Sequence, residues 1–539
     1  MSNASPWWRG ASLYQIYPRS FCDSNGDGIG DLPGITSKLD YVASLGVDGI
    51  WISPFFPSPM RDFGYDVSDY RGVDPRFGTL ADFDALVERA HALRLKVVID
   101  QVWSHTAIDH PWFRQSRSGR SGPQADWYVW ADAKPDGSPP NNWQAWFGGP
   151  AWTWEPRRRQ YYFHNFLPEM PDLNFHTPAV QEAILATARF WLDRGVDGFR
   201  LDTANFYFHD LRLQDNPARP GSPARSPVEM QLHLHNICQP QNLDFLARLR
   251  SLLDGYGTGE QARMTVAEIS SEHDLDRMLE YTEGDRHLHT AYSFLLLRLR
   301  PDAAGLASLM APWHQGLAGR GWPAWAMSNH DTPRVATRWT PPDSLVPLAQ
   351  RARQCLALLA CLRGTVFVYQ GEELGLPQSQ VAFEAMQDPA GLRGWPQHPG
   401  RDGCRTPMPW RHEATHAGFT QGQPWLPVDS AHAKLAVDVQ ESDDLSTLQL
   451  TRRALALRRK HPALRLGTFE PLVTQDDVLV FERRHCEDRC VAAFNLGEEP
   501  KTLALPNWPV HDPLSIGSAL YADGQLVLPA GSALLAFDP

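Results

Sequence analysis

The sequence predicts an α/β chain whose parallel strands close into a (β/α)8 barrel, with a lobe inserted after the third strand and a small all-β domain at the C-terminus. Three observations predict it. Short, nearly continuous apolar runs rich in β-branched and aromatic residues recur at 13–17, 49–52, 96–102, 198–202, 264–269, 324–328 and 365–369, as strands buried on both faces should. Amphipathic helical patterns lie between them, and repeated strand–helix alternation implies a parallel sheet. The 539 residues exceed one compact core, and over this length a closed barrel suits the alternation better than an open sheet. One barrel strand, the sixth, is weak and falls near 291–294.

The elements follow in order. Residues 81–95 place Phe83, Leu86, Val87, Ala90 and Leu93 on one helical face, and Thr79 with Asp82 has the form of a capping box. The barrel spans 1–103 and resumes over 171–460. Between them, residues 104–170 are rich in Trp, Pro and Gly and read as the inserted lobe. Thr177-Pro178 opens the next helix as N-cap and first residue, and Gly195 closes it. Residues 214–227 hold four prolines and read as an exposed loop, and 376–410 is a further irregular stretch. Over 461–539, runs at 478–482, 491–495 and 533–537 alternate with turn residues and lack helices, which predicts the all-β domain.

Composition excludes several classes. Hydrophobic residues make up 42%, enough for a sizeable core, and the net charge of -12 argues against nucleic acid or an anionic membrane as partner. No apolar run reaches about 18 residues, so no membrane-spanning helix is expected. The opening MSNASPWWRG lacks the form of a signal peptide, and seven scattered cysteines suit a reducing cytoplasm. Cys486 and Cys490 read as ordinary buried thiols. Many of the 20 Trp fall between 103 and 154; aromatic faces pack cores and also stack on sugar rings.

In such a barrel the site lies at the C-terminal ends of the strands. The third strand ends at Asp100, with His105 beyond; the fourth passes Arg200 to Asp202; the fifth ends at Glu268; the seventh runs into Asn329-His330-Asp331. Carboxylates there are costly unless paired or used, and several at successive strand ends outweigh a reading as helix caps. Two carboxyls about 5–5.5 Å apart can break a glycosidic bond with retention, one ionised and one holding a proton near neutral pH. Arg200, two residues before Asp202 on the same strand face, would keep Asp202 ionised. That leaves Glu268 or Asp331 as proton carrier, and spacing does not choose between them.

The segments 100–105 (Asp-Gln-Val-Trp-Ser-His), 198–202 (Gly-Phe-Arg-Leu-Asp), Ala267-Glu268-Ile269 and Asn329-His330-Asp331, with Gly64-Tyr65-Asp66 and Met170-Pro171-Asp172-Leu173-Asn174, stand in one order. Over roughly 13–410 this ordered set resembles glycoside hydrolase family 13, the α-amylase family. The resemblance implies Asp202 as nucleophile, Glu268 as general acid/base, and Asp331 as the group that binds the 2- and 3-hydroxyls and distorts the sugar. It implies that His105, Arg200 and His330 bind the non-reducing glucose, with Tyr65 stacked beneath it. Asp62 and Arg401 resemble the pair that grips the 4-hydroxyl and closes the pocket in exo-acting α-glucosidases of the oligo-1,6-glucosidase branch. The 400–410 stretch resembles that branch too. Phe147 and Phe166 fall where related enzymes line the pocket. Thr203, after the nucleophile, is Thr or Ala in α-1,4 enzymes of the branch and Val in α-1,6 enzymes, which implies maltose over isomaltose. Ser104 stands where the family usually has Asn, a departure that bears on the common calcium site of amylases between barrel and lobe. Glu372 and Glu373 are expected to anchor structure.

Asp23-Ser-Asn25-Gly-Asp27-Gly-Ile29-Gly-Asp31 alternates oxygen ligands with glycine like the start of an EF-hand loop, without its bidentate Glu. An Asx-rich turn closed on its own backbone is the other reading. The family carries Ca2+ or Mg2+ in this first loop, which implies Asp23, Asn25, Asp27, the Ile29 carbonyl and Asp31 as ligands in a structural role. No organic cofactor is expected. Together the resemblance implies a cytoplasmic retaining exo-α-glucosidase, monomer or homodimer, acting on maltose-like substrates with transfer to sugar or alcohol acceptors. A dedicated transglucosylase or a sucrose/trehalose-type isomerase would share the glucosyl-enzyme. A non-catalytic transporter heavy chain would lack the acids and carry an anchor, and an endo-amylase would lack the closing pair.

Overall fold

The computed structural model describes residues 5–221, 226–313, 321–505 and 508–539; residues 1–4 of the opening segment and 222–225 of the 214–227 loop lie outside the described residues. In chain order the strands of the barrel and its lobe are β1 (Ser12–Ile16), β2 (Gly49–Ile52), β3 (Lys96–Gln101), β4 (Trp130–Ala131), β5 (Trp152–Glu155), β6 (Gln160–Phe163), β7 (Gly198–Leu201), β8 (Met264–Ile269), β9 (Thr290–Ser293), β10 (Ala324–Ala326) and β11 (Thr365–Tyr369). Eight of them form one parallel sheet in the order β10-β11-β1-β2-β3-β7-β8-β9. A parallel bridge between Ala291 and Pro323 brings its two edges together, so the barrel nearly closes. The weak sixth strand is β9. The runs read at 198–202 and 324–328 end sooner, at Leu201 and Ala326, because the polar residues that follow leave the ladder for the mouth.

Leu13, Trp51, Val98, Val266, Tyr292 and Phe367 form one buried cluster, a packed plug rather than a pore. Side chains alternate along a strand, so residues two positions farther on share the same face. Gln15, Asp100 and Glu268 therefore continue the lines of Leu13, Val98 and Val266 towards the C-terminal mouth, and all three are buried. The apolar layer beneath them is what makes the acids' surroundings dry.

The helix Leu80–Ala92 starts with the full capping box of Thr79 and Asp82, as expected. Pro178 opens Pro178–Asp193, but the Thr177 hydroxyl donates to Asp126 O at 2.8 Å instead of capping. The lobe is a three-stranded antiparallel sheet, β4-β6-β5, over a cluster containing Trp143, Trp152 and Phe163. Residues 214–216 are not a free loop. Trp143 Nε1 donates to Gln214 O at 2.8 Å, and Asn142 exchanges two 2.9 Å bonds with the Asn216 backbone. Proline spacing could not show this, because the partner lies some seventy residues away.

The C-terminal strands β12 (Glu470–Gln475), β13 (Val478–His485), β14 (Asp488–Asn495), β15 (Lys501–Ala504), β16 (His511–Ile516), β17 (Leu520–Ala522), β18 (Gln525–Leu528) and β19 (Ala533–Phe537) make sheets ordered β12-β13-β14-β19-β16 and β15-β18-β17. One short helix, Pro462–Leu466, precedes them, where no helix was expected after residue 460. Cys490 is buried but Cys486 is exposed, in a turn with φ 53°, so the two do not form one buried pair. All seven cysteines are free thiols. Among the described residues no helix is long and apolar enough to cross a membrane.

Candidate active site

Arg200, on β7 and fully buried, organises the mouth. Its Nη1 donates to Asp100 Oδ1 at 2.8 Å and to Asp202 Oδ1 at 2.7 Å, and its Nη2 lies 2.6 Å from Glu268 Oε2. The Tyr292 hydroxyl accepts from Nε at 3.2 Å and from Nη2 at 3.0 Å. One guanidinium thus serves carboxylates from the ends of three adjacent strands, β3, β7 and β8. Desolvation would make such acids prohibitive without a buried cation.

The carboxyls do not share one proton affinity. Burial pushes Glu268 well above the usual carboxylate range; Arg200 opposes this, and the charges of Asp202, Asp331 and Asp100 add to it. Burial also acts on Asp331, but contact with His330 and the charges of Arg401 and Arg405 hold it well below its ordinary value. Arg405 Nη2 donates to Asp331 Oδ1 at 2.9 Å, and Arg401 Nη1 to the same oxygen at 3.3 Å. Burial thus favours a proton on Glu268, as it does on Asp100, which is pushed up to about 7, while the fixed cations favour the ionised form of Asp331.

Behind this layer runs a hydrogen-bonded chain. Gln15 Nε2 donates to His330 Nδ1 at 2.8 Å, His330 Nε2 lies 2.6 Å from the Tyr65 hydroxyl, and that hydroxyl donates to Asp100 Oδ2 at 3.0 Å. Burial drives the His330 imidazole down to about 3, so it is neutral at ordinary pH. His105 is fixed between Ser104 Oγ (2.8 Å) and the Tyr65 carbonyl (3.0 Å). Thr203 follows Asp202 with φ 41°, a left-handed conformation that is strained for a β-branched residue. Its Oγ1 donates to Asp202 Oδ2 at 3.2 Å and lies 2.9 Å from Ser104 Oγ.

The lip is a second ion cluster. Arg401 Nη2 donates to Asp62 Oδ1 at 2.5 Å and to Asp388 Oδ1 at 2.7 Å. Asp62 sits in a turn held by Asp66, whose Oδ1 accepts from the Asp62 N–H at 3.1 Å and whose Oδ2 accepts from the Arg61 N–H at 2.9 Å. Burial pushes Asp62 up to about 6 despite Arg401, whereas Asp388, also buried, is held at about 2 by Arg401. The guanidinium carbon of Arg401 stands 5.3 Å over the Phe147 ring.

These side chains enclose a cavity of about 240 Å³. Asp62, Tyr65, His105, Phe147, Phe166, Asp202, Thr203, Glu268, Asp331 and Arg401, all expected at the site, line it. Arg200 and His330 lie one layer beneath and line nothing; they reach the cavity through the groups they hold. Sequence reasoning missed Trp146, Phe206, Phe294 and Arg298 on the wall. It also missed the partners Arg405 and Asp388. Arg405 could have been found, since it ends the short helix Asp402–Arg405 that begins just after Arg401. Glu373 accepts from the hydroxyls of Tyr14 and Tyr41, both at 2.8 Å, and Glu372 accepts from the Tyr369 N–H at 3.0 Å, so both acids anchor structure.

The model of the alpha-amylase catalytic domain matches residues 15–467. The chain belongs to this family. A probable alpha-glucosidase of Rhizobium meliloti (strain 1021) is 51% identical over 511 residues, 93% of this chain and 91% of that protein. An oligo-1,6-glucosidase of Parageobacillus thermoglucosidasius is 34% identical over 93% of this chain and 92% of that protein. Among solved structures, the alpha-glucosyl transfer enzyme XgtA superposes with a TM-score of 0.93 at 53% identity, covering 99% of this chain and 100% of that one. The trehalulose synthase MutB follows at 0.88 and 30%, with the same coverage. This glycoside hydrolase is thus a member of the α-glucosidase and oligo-1,6-glucosidase group of its family.

In its first loop, Asp23 Oδ1 accepts from the Asn25 and Gly26 amides at 2.9 and 2.7 Å, and Asp23 Oδ2 accepts from Gly28 at 2.8 Å and from the Thr420 hydroxyl. Asn25 Oδ1 accepts from Asp27 N–H at 2.9 Å, and Asp27 Oδ1 from Ile29 N–H at 2.8 Å. Asp31 caps the helix Leu32–Ser37 through Gly34 N–H at 2.6 Å and is buried. No cluster of three His, Cys, Asp or Glu close enough to ligate a metal occurs among the described residues. Asp23, Asn25 and Asp27 keep acceptor lone pairs beyond these amides and are not buried, so their donor chemistry fits a hard cation.

Proposed function

We propose that this glycoside hydrolase is a retaining exo-α-glucosidase that frees the non-reducing glucose of short α-1,4-glucosides such as maltose through a covalent glucosyl-enzyme, and passes part of it to sugar or alcohol acceptors. The observation that carries the reading is the Arg200 fork: its two terminal nitrogens grip Asp202 and Glu268 at once, beneath a pocket closed at the far end by Asp62–Arg401. Two carboxyls on one guanidinium stand close enough to act on one anomeric carbon, as retention requires. A blocked far end admits a chain terminus and not the middle of a chain.

In the first step the Asp202 carboxylate bonds to the anomeric carbon while Glu268 gives its proton to the departing oxygen. In the second, Glu268, now a carboxylate, takes a proton from water or an acceptor hydroxyl, whose oxygen replaces Asp202 at that carbon. Asp331 accepts from ring hydroxyls in both steps. The Thr203 hydroxyl, bonded to Asp202, sets the shape and polarity of the adjoining wall, which supports α-1,4 over α-1,6 linkage. Incubation with maltose and isomaltose, followed by early NMR, tests this: α-glucose should appear first, and faster from maltose. Initial release of the β-anomer overturns the retaining mechanism.

A dedicated transglucosylase is the second reading, favoured by the aromatic wall of Trp146, Phe147, Phe166 and Phe206 and by the likeness to XgtA. The ratio of free glucose to transfer products on concentrated maltose decides between them. The first loop is assigned as a structural Ca2+ or Mg2+ site whose oxygens come from Asp23, Asn25, Asp27 and Ile29, with Asp31 alongside; the ion would brace the loop and take no part in the chemistry. The seven free thiols support a reducing compartment.

A further inference from the structure

A second cavity, of about 700 Å³, adjoins the glucose pocket and shares Phe294, Arg298 and Asp331 with it. Its wall combines apolar faces, including Leu297, Pro341 and Pro342, with two further arginines, Arg300 and Arg338. None of the three arginines forms an ion pair among the described residues. Asp331, which borders the cavity, is already held by Arg401 and Arg405. The Arg298 guanidinium lies 4.8 Å from the Phe294 ring centre. Arg338 spends Nη1 on Pro333 O at 2.7 Å and Nη2 on Met327 O at 2.8 Å, but its Nε has no partner. The Thr340 hydroxyl on the same wall is likewise buried without one.

Three guanidiniums on one wall with no carboxylate in ion-pair contact among the described residues, although Asp274 and Glu372 act on Arg298 and Arg338 from farther off, stand out in a chain of net charge -12. Guanidinium recognises carboxylate and phosphate by paired N–H donors, and an aromatic or proline face suits a planar ring. We propose that this cavity is an aglycone subsite selective for an anionic group, and that an aromatic carboxylate fits it best. The inference rests on the glucosidase reading, because the anion enters as the leaving group or acceptor of the Asp202–Glu268 site.

The test compares kcat/KM for 4-carboxyphenyl and 4-carbamoylphenyl α-glucosides, which differ in charge and hardly in size. In the wild type, the preference for the carboxylate should shrink as salt is added. In an R298Q/R300Q double variant it should fall about tenfold, the loss of one good charge-assisted contact. Both side chains are exposed, so folding should survive, and R298K/R300K should restore part of the preference. A preference unchanged in the double variant overturns the subsite and leaves the glucosidase intact. Absence of hydrolysis of either glucoside overturns the glucosidase reading and this one with it. Stronger inhibition by benzoate than by inorganic phosphate is expected, and the reverse order overturns the assignment of an aromatic carboxylate.

Discussion

Two acid-rich regions of the molecule solve the same electrostatic problem in opposite ways. At the barrel mouth, Asp100, Asp202, Glu268 and Asp331 come from strand ends far apart in sequence, and apart from Asp202, which follows the strand that carries Arg200, their arginine partners stand on other elements. In the first loop, Asp23, Asn25 and Asp27 lie within five residues and are answered mainly by the backbone amides between them. Local acids with local donors stay near water and build a turn. Distant acids gathered over an apolar plug lose water, and their proton affinities spread apart. Burial raises Glu268 while fixed cations lower Asp331. That spread is what acid–base chemistry needs.

The strongest way to break the comparison is D202N. The variant keeps the shape and removes the nucleophilic charge, so kcat/KM on maltose should fall at least about 10⁴-fold. A smaller loss would mean the mouth acids are only a structural ion cluster. Next comes E268Q, which should cost roughly 10²- to 10⁴-fold. In the proposed mechanism Glu268 starts protonated, and its affinity for the proton is raised, so wild-type activity should decline as pH rises through that raised value. The variant has no proton to lose there, and its pH–rate profile should lack that alkaline limb.

The lip sharpens the contrast. In D62N, Arg401 keeps Asp388 but loses its charge-assisted contact with Asp62, and kcat/KM should fall about 10- to 100-fold, chiefly through KM. Burial pushes Asp62 up to about 6, so KM in the wild type should rise as pH falls below that value and the carboxylate becomes protonated, an effect D62N should lack. The first loop should show the smallest effect. Removing divalent cations with EDTA should lower Tm by a few degrees at most, about 1 °C per kcal/mol of binding energy lost in a chain this long, and leave kcat at 25 °C unchanged. Restored Ca2+ should raise Tm in the wild type and not in D27A. If Tm ignores the cation, the loop is an Asx turn closed on itself and the contrast between the regions is sharper still.

The strand ends were legible because their signal is local: a run of β-branched and aromatic residues that stops at an acid marks both a buried strand and the mouth it points to. Thr79–Asp82 was legible for the same reason, since its cap partner is three residues away, and Pro178 because its fixed φ suits the first turn of a helix, whereas the cap expected of Thr177 did not form. The lip was half legible. Asp62 and Arg401 could be named by resemblance, but Asp388 could not, because only the packing of the stretch before Arg401 brings its carboxylate to 2.7 Å from Nη2. The docking of 214–216 on Asn142 and the three-arginine cavity left no trace in spacing.

The sequence by itself determined which residues fold into alternating strands and helices, and which acids end those strands, because periodicity and burial of neighbours act over a few residues. Tertiary structure alone set the proton affinities of those acids apart. That separation depends on how many fixed charges surround a desolvated carboxyl, and Arg200, Arg401 and Arg405 reach theirs only when barrel strands and the loop after the last strand meet in space.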